Sequence, residues 1–133
     1  MKKITIHTML VAALITLTSQ TTNDPIMTKQ KDVTIINTTS LASDIEGYVG
    51  TTPVKIYIQN GKILRIEALE NEETPKYFNM VEKKLLTKWN GLPVKTAEKQ
   101  KIDAVTGATV SSEAIIENVQ RGISYYNYAN KKK

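Results

Sequence analysis

TPVKIYIQNGKILRIEALE, Thr52 to Glu70, decides the fold class of this 133-residue chain. Val54, Ile56 and Ile58 alternate with polar or amphipathic residues, Asn60-Gly61 follows, and Leu64, Ile66 and Ala68 alternate in turn. Successive side chains of a strand point to opposite faces, so each run offers one apolar face and the pair reads as an antiparallel β-hairpin. Parity then constrains the turn. A strict two-residue Asn-Gly turn sets Ile56 opposite Arg65 and splits the apolar face. A three-residue loop with Gly61 in the left-handed conformation keeps the isoleucines opposite Leu64 and Ile66, and that loop, with its bulge, is the expected form. The hairpin reads as scaffold.

Upstream, VTIINTTSLAS from Val33 is rich in β-branched residues and is expected to supply a first strand or two short extended pieces. The preceding stretch from Asn23 to Asp32 is largely polar, contains Pro25, and reads as part of a linker over residues 20–32. Downstream, Phe78, Val81, Leu85 and Trp89 recur at helical spacing, with Thr74-Pro75 as a helix start and Gly91 where a C-terminal cap belongs. Phe78 and Trp89 are core candidates, while Lys83, Lys84 and Lys88 form a solvated face. A last helix is expected from about Ser112 to Tyr126, with Ile115, Ile116, Val119 and Ile123 as its apolar stripe and Ser111 or Ser112 as its cap. The fold class is α+β: one small domain over residues 33–128, an antiparallel sheet built on the hairpin, two or three packed helices, and a basic tail at 129–133.

The chain opens with Lys2 and Lys3, an apolar run from Ile4 to about Leu17, and then small polar residues, the layout of a secretory signal. That run is shorter than the roughly 20 residues that span a bilayer. Residues 1–19 are therefore assigned to an export signal, with a retained N-terminal anchor as the other possibility, and the domain is expected outside the cytoplasm, in the periplasm or cell envelope.

Composition narrows the chemistry. Apolar residues make up 41% and charged residues 23%, an ordinary globular balance. Cysteine is absent, which removes disulfides, thiolate metal sites, iron–sulfur ligation and thiol nucleophiles. The one histidine, His7, sits inside the leading apolar run, so histidine catalysis and a metal centre are not expected. The net charge of +5 comes largely from lysines at the two ends, a poor footprint for nucleic acid, and none is expected as a partner.

One stretch resists a packing explanation. DAVTGATVSS, Asp103 to Ser112, places small and hydroxylated residues directly ahead of the apolar helix. Gly107 permits positive φ, Ala108 keeps the surroundings uncrowded, and the hydroxyl of Thr109 is left accessible. The first amides of a helix lack intrahelical partners and its dipole end is positive, so a phosphate is stabilised there, with Thr106, Ser111 and Ser112 as further hydroxyl donors. Asp103 repels a phosphate, which makes it either a structural hydrogen-bonding group or a handle for a modifying enzyme.

Asp103-Ala104-Val105-Thr106-Gly107-Ala108-Thr109, followed by Val110-Ser111-Ser112, closely resembles the flavinylation motif of the FMN-binding domain family. That domain also occurs in the C subunit of the sodium-translocating NADH:quinone oxidoreductase and in the G subunit of the Rnf complex. Glu46-Gly47-Tyr48-Val49-Gly50, Asn60 to Ile63, and Glu73-Thr74-Pro75 follow the family's order and approximate separations. The resemblance covers roughly Ile45 to Ile123. It implies FMN carried on Thr109 through a phosphoester, made by an exported flavin transferase that uses FAD and magnesium, with Asp103, Thr106, Gly107 and Ala108 as the recognition sequence. It also implies that Glu73 and Thr74 lie near the flavin ring. Lys76 departs from the glycine of many members, and Tyr48 reads equally as an edge or core aromatic and as a ring contact.

With no second cofactor motif and no dinucleotide fingerprint, the expected function is a single-flavin electron carrier that docks with membrane redox proteins, more a substrate of the transferase than an enzyme. A flavin-free secreted α+β binding module and a small flavin-dependent reductase are the other readings.

Overall fold

The structure, a computed structural model, describes residues 25–131. The segment expected to act as an export signal, 1–19, lies outside the described residues. A four-stranded antiparallel sheet in the order β1-β2-β3-β4 is built from β1 (Met27–Gln30), β2 (Val33–Asn37), β3 (Val54–Gln59) and β4 (Lys62–Ala68). Three helices follow: α1 (Pro75–Lys84), the single-turn α2 (Val94–Ala97) and the long α3 (Thr109–Lys131). The α+β class read from the sequence is the observed one.

β1 corrects the linker assignment over its own length, because Met27 to Gln30 pair with Ile36 to Val33 as an edge strand. All four of its residues are exposed, so its placement rests on backbone hydrogen bonds rather than on an apolar pattern that a sequence reading could detect.

The hairpin turn also differs from expectation. Asn60 (φ 52°) and Gly61 (φ 73°) both take positive φ, and Gln59 pairs with Lys62 and Ile58 with Ile63: a two-residue turn of the primed type that suits strand twist. The parity conflict is resolved further along. A register shift between Tyr57 and Ile58 makes Leu64 the extra residue, after which Tyr57 faces Arg65 and Ile56 faces Ile66. Ile63 and Ile66 therefore point into the core while Leu64 stands 45% exposed. On the outer face the Arg65 guanidinium lies 3.8 Å from the Tyr57 ring centroid.

The core lies between the inner sheet face and the helices, with Ile36, Val54, Ile56, Ile58 and Ile63 meeting Ile115, Val119 and Ile123 of α3. At Gly122 α3 lies close against the sheet. A Cβ there would stand 2.6 Å from Ile56 Cδ1 and 3.1 Å from Thr38 Cγ2. Beside this contact, Thr38 Oγ1 donates to Asn118 Oδ1 (2.6 Å) and accepts from Val54 N (2.9 Å), a buried link between the sheet and α3. Arg121 ties α3 to the Leu41 carbonyl and to Asp44.

Thr74 is the N-cap of α1 and Pro75 its first residue, as the sequence suggests. The expected continuous helix to Gly91 is instead divided. α1 ends at Lys84 and a 3₁₀ turn spans Leu86–Trp89, whose tighter winding lets Leu86 and Trp89 join Phe78, Val81 and Leu85 in the core. Gly91 follows with φ 82°. α3 is longer than expected at both ends: it begins at Thr109, three residues early, and Ala129 to Lys131, read as the start of a tail, belong to it.

Candidate functional site

A cavity of about 440 Å³ opens between the loop before β3, the start of α1 and the start of α3. Its lining joins Tyr48, Thr74 and Tyr77 to Gly107, Ala108, Thr109, Val110 and Ser111. A volume of this size lies in the range of small-molecule sites, about 300–1,000 Å³.

The turn before α3 is built by local bonds. Ala108 N donates to Val105 O (3.0 Å) and Ser112 N to Ala108 O (3.0 Å), while Gly107 takes φ 91° between them. Val105 and Ala108 are buried in the core and anchor the turn. Thr106, Gly107 and Thr109 remain exposed. Thr109 is the first helical residue, so its amide and those of Val110 and Ser111 have no carbonyl four residues back within the helix. Its hydroxyl thus stands beside unpaired helix N–H groups on the cavity wall.

The two serines expected to cap this helix do not do so. Both are buried within its first turn: Ser112 Oγ accepts from Val105 N (3.0 Å) and Ser111 Oγ donates to Glu73 Oε1 (2.5 Å). Their hydroxyls hold the turn in place. Asp103 is exposed and its carboxylate has no hydrogen-bond partner among the described residues.

Glu73 is buried, at 5% exposure, and organises the opposite wall. Oε1 accepts from Tyr48 N (2.7 Å) as well as from Ser111, and Oε2 accepts from Val49 N (2.6 Å). Burial pushes its carboxyl upward, but the Ser111 hydroxyl and the amides of Tyr48, Val49 and Gly50 outweigh it and hold the group below its ordinary value. The loop itself closes through Gly47 N donating to Gly50 O (2.7 Å). A Cβ on Gly47 would collide with Glu73 Oε1, so glycine is what lets the loop lie against the carboxylate. Glu73 therefore shapes the cavity without lining it.

Thr74, the N-cap of α1, makes no side-chain capping bond, and its side of the cavity is continued by Tyr77 one turn on. Tyr48 is 76% exposed on the cavity edge, which removes the core reading of that residue. Tyr77 and Val110 were not singled out from the sequence. The available signal was spacing, since Tyr77 stands three positions after Thr74 on a helix and Val110 adjoins Thr109.

These groups suit a phosphorylated, planar aromatic ligand: a helix N-terminus and free hydroxyls at Thr109 and Thr74 for the polar part, exposed aromatic surface for the ring. Among the described residues no group of three His, Cys, Asp or Glu side chains could hold a metal.

The chain belongs to the FMN-binding domain family, whose model matches residues 47–124. The matched span runs from the glycine under the Tyr48 loop to the middle of α3, and so includes every wall of the cavity. Similar proteins include the G subunit of the ion-translocating oxidoreductase complex from Buchnera aphidicola subsp. Baizongia pistaciae, 28% identical over 109 residues, 71% of this chain and 50% of that protein. Its namesake from Shewanella piezotolerans is 31% identical over 116 residues, 77% of this chain and 53% of that protein. The chain spans about half the length of these relatives.

Proposed function

We propose that this chain carries FMN covalently, through a phosphoester to Thr109, and serves outside the cytoplasm as a single-flavin electron carrier in a membrane redox assembly. The observation that carries the reading is the position of Thr109: an exposed hydroxyl at the first residue of α3, on the cavity wall, two residues after Gly107 at φ 91° and within the sequence DAVTGAT. Family membership supports FMN as the ligand, and the names of the two relatives support an electron-transfer assembly.

The bond follows from the groups present. A flavin transferase presenting FAD would join Thr109 Oγ to the FMN phosphorus, with AMP leaving and the hydroxyl proton lost. Asp103, exposed and unpartnered, suits recognition by that enzyme better than a role within the turn. The helix amides at Thr109 to Ser111 then face the phosphodiester charge, and the positive end of α3 stabilises it. Glu73 keeps the Tyr48 loop and the start of α3 at a fixed separation. The bound flavin supplies one- and two-electron chemistry, while the protein holds and orients it. A covalent link also retains the cofactor where free FMN would be lost by diffusion. Among the described residues no helix is long and apolar enough to cross a membrane.

Intact-protein mass spectrometry of the chain produced with a flavin transferase, followed by peptide mapping, tests the reading. The expected gain is FMN less one water on the Thr109 peptide, and Thr109→Ala should carry none while remaining folded. An unmodified mass, with the transferase active on another substrate, overturns it.

A further inference from the structure

Lysines gather at the end of the molecule opposite the cavity. β1 turns into β2 through Lys31 and Asp32, and β3 into β4 through Asn60 and Gly61. The two turns lie side by side, because Gln30 pairs with Val33, Val33 with Gln59 and Gln59 with Lys62. α2 docks on the second turn, where Val94 N donates to Gly61 O (2.8 Å) and Lys62 is bridged to Pro93. The last turns of α3 reach α2 in turn: Asn127 Nδ2 donates to Val94 O (3.2 Å) and to Glu98 Oε2 (3.0 Å). One end of the fold therefore presents Lys31, Lys62, Lys95, Lys99 and Lys131, all exposed. Among the described residues none of these five makes an ion pair. The two neighbouring carboxylates are already engaged, since Asp32 Oδ2 accepts from Gln59 Nε2 (2.8 Å) and Glu98 Oε1 from Ser124 Oγ (2.7 Å).

α3 spans 23 residues between this face and the cavity at Thr109, about 34 Å at 1.5 Å per residue. The cavity end has the opposite balance, with Glu46, Glu70, Glu72, Asp103 and Glu113 exposed against Lys76 and Lys101. The domain is thus polarised along α3, and a negatively charged surface would orient it as well as attract it.

We propose that the lysine-bearing end docks on a bilayer surface of anionic phospholipid headgroups and turns the cavity away from the lipid. The ammonium groups stand on two turn tips, a short helix and a helix end, a spread that suits a layer of mobile phosphate charges, which needs no fixed register. Tyr128, 64% exposed and three positions before Lys131, adds an amphipathic ring of the kind that sits at headgroup level. Docking of this kind needs no flavin and stands apart from attachment at Thr109.

The test is co-sedimentation of the full chain with phosphatidylcholine vesicles, with and without phosphatidylglycerol, at low and high salt. Phosphatidylglycerol should raise binding several-fold at low salt, and high salt should abolish the gain. Lys31→Glu/Lys62→Glu and Lys95→Glu/Lys99→Glu should each lose most of it. Lys55→Glu/Lys76→Glu, an equal change of net charge at the cavity end, should keep it, with all variants matched for folding by denaturation midpoint. Binding indifferent to phosphatidylglycerol, a gain that survives high salt, or equal losses in all three double variants overturns the docking face. Orientation has its own readout, because the chain lacks cysteine and accepts one dye at Gln100→Cys or Glu72→Cys. Headgroup-labelled quencher lipid should dim the dye at position 100 several-fold more than at 72, and equal or reversed quenching overturns the orientation.

Discussion

Ser111 and Glu73, 38 positions apart, are joined by a 2.5 Å hydrogen bond in which the serine hydroxyl donates to the buried carboxylate. The same carboxylate receives the amides of Tyr48 and Val49. One side chain thus couples the loop before β3, the approach to α1 and the first turn of α3, the three segments that enclose the cavity.

Replacing Glu73 by Gln removes the charge that these donors face. Hydrogen bonds to a buried charged group contribute about 1.5–3 kcal/mol, so Glu73→Gln should lower stability by roughly 2 kcal/mol at neutral pH. The acid response should change too. The bonds hold the folded-state value below the ordinary 4.5, so their contribution is complete above 4.5 and is lost as pH falls below it through the folded-state value. Urea midpoints at about pH 7 and about pH 3 should therefore fall further apart in wild type than in the variant. Glu98, held low by Asn127 and Ser124, leaves a residual dependence in both proteins. Equal acid losses in the two proteins would show that Glu73 is not the titrating group.

Gly47→Ala should destabilise the protein by about 1–3 kcal/mol, because the added Cβ meets Glu73 Oε1 and approaches Thr52 Cγ2 to 3.1 Å. Gly50→Ala is the matched control, since nothing lies within 4 Å of a Cβ there. Denaturation midpoints that fall equally for both would mean that the loop is not packed against the carboxylate.

At Gly107 the constraint is backbone rather than space. A Cβ would meet only Met80 Cε, at an ordinary 3.7 Å, but the residue stands at φ 91°. Gly107→Ala should cost about 1–2 kcal/mol and Gly107→Asn less, because asparagine tolerates left-handed backbone. Gly107→Val should in addition block flavin attachment at Thr109, read by intact mass. An alanine variant as stable as wild type would refute the positive φ, and normal labelling of the valine variant would show that attachment does not require it.

Thr38→Val keeps the shape of a buried side chain and deletes its hydroxyl. Val54 N and Asn118 Oδ1 then lose their partner, at an expected cost of about 2 kcal/mol in chemical denaturation. Thr38→Ser should recover most of the loss. Equal midpoints for the valine and wild-type proteins would show that the hydroxyl contributes nothing.

Much of this protein is determined by local sequence. Alternating apolar residues at Val54 to Ile58 require a strand with one buried face, Asn60-Gly61 supplies the positive φ that a tight hairpin needs, and Thr74-Pro75 starts a helix because proline lacks only an N–H that the first turn would not use. DAVTGAT likewise announces an accessible hydroxyl before a helix, since glycine and alanine leave room around Thr109. Tertiary structure decided what these local preferences leave equal. The bulge falls at Leu64 because Ile56, Ile63 and Ile66 must share one buried face against α3, a demand made across the sheet. β1 carries no apolar alternation and exists because β2 offers it a free edge. Ser111 and Ser112 look like caps in isolation, and become internal anchors only because Glu73 and the Val105 amide arrive as their partners. Hydrogen bonds between residues dozens of positions apart leave no periodic trace in a sequence, so the partner of Ser111 could be known only once the chain had folded.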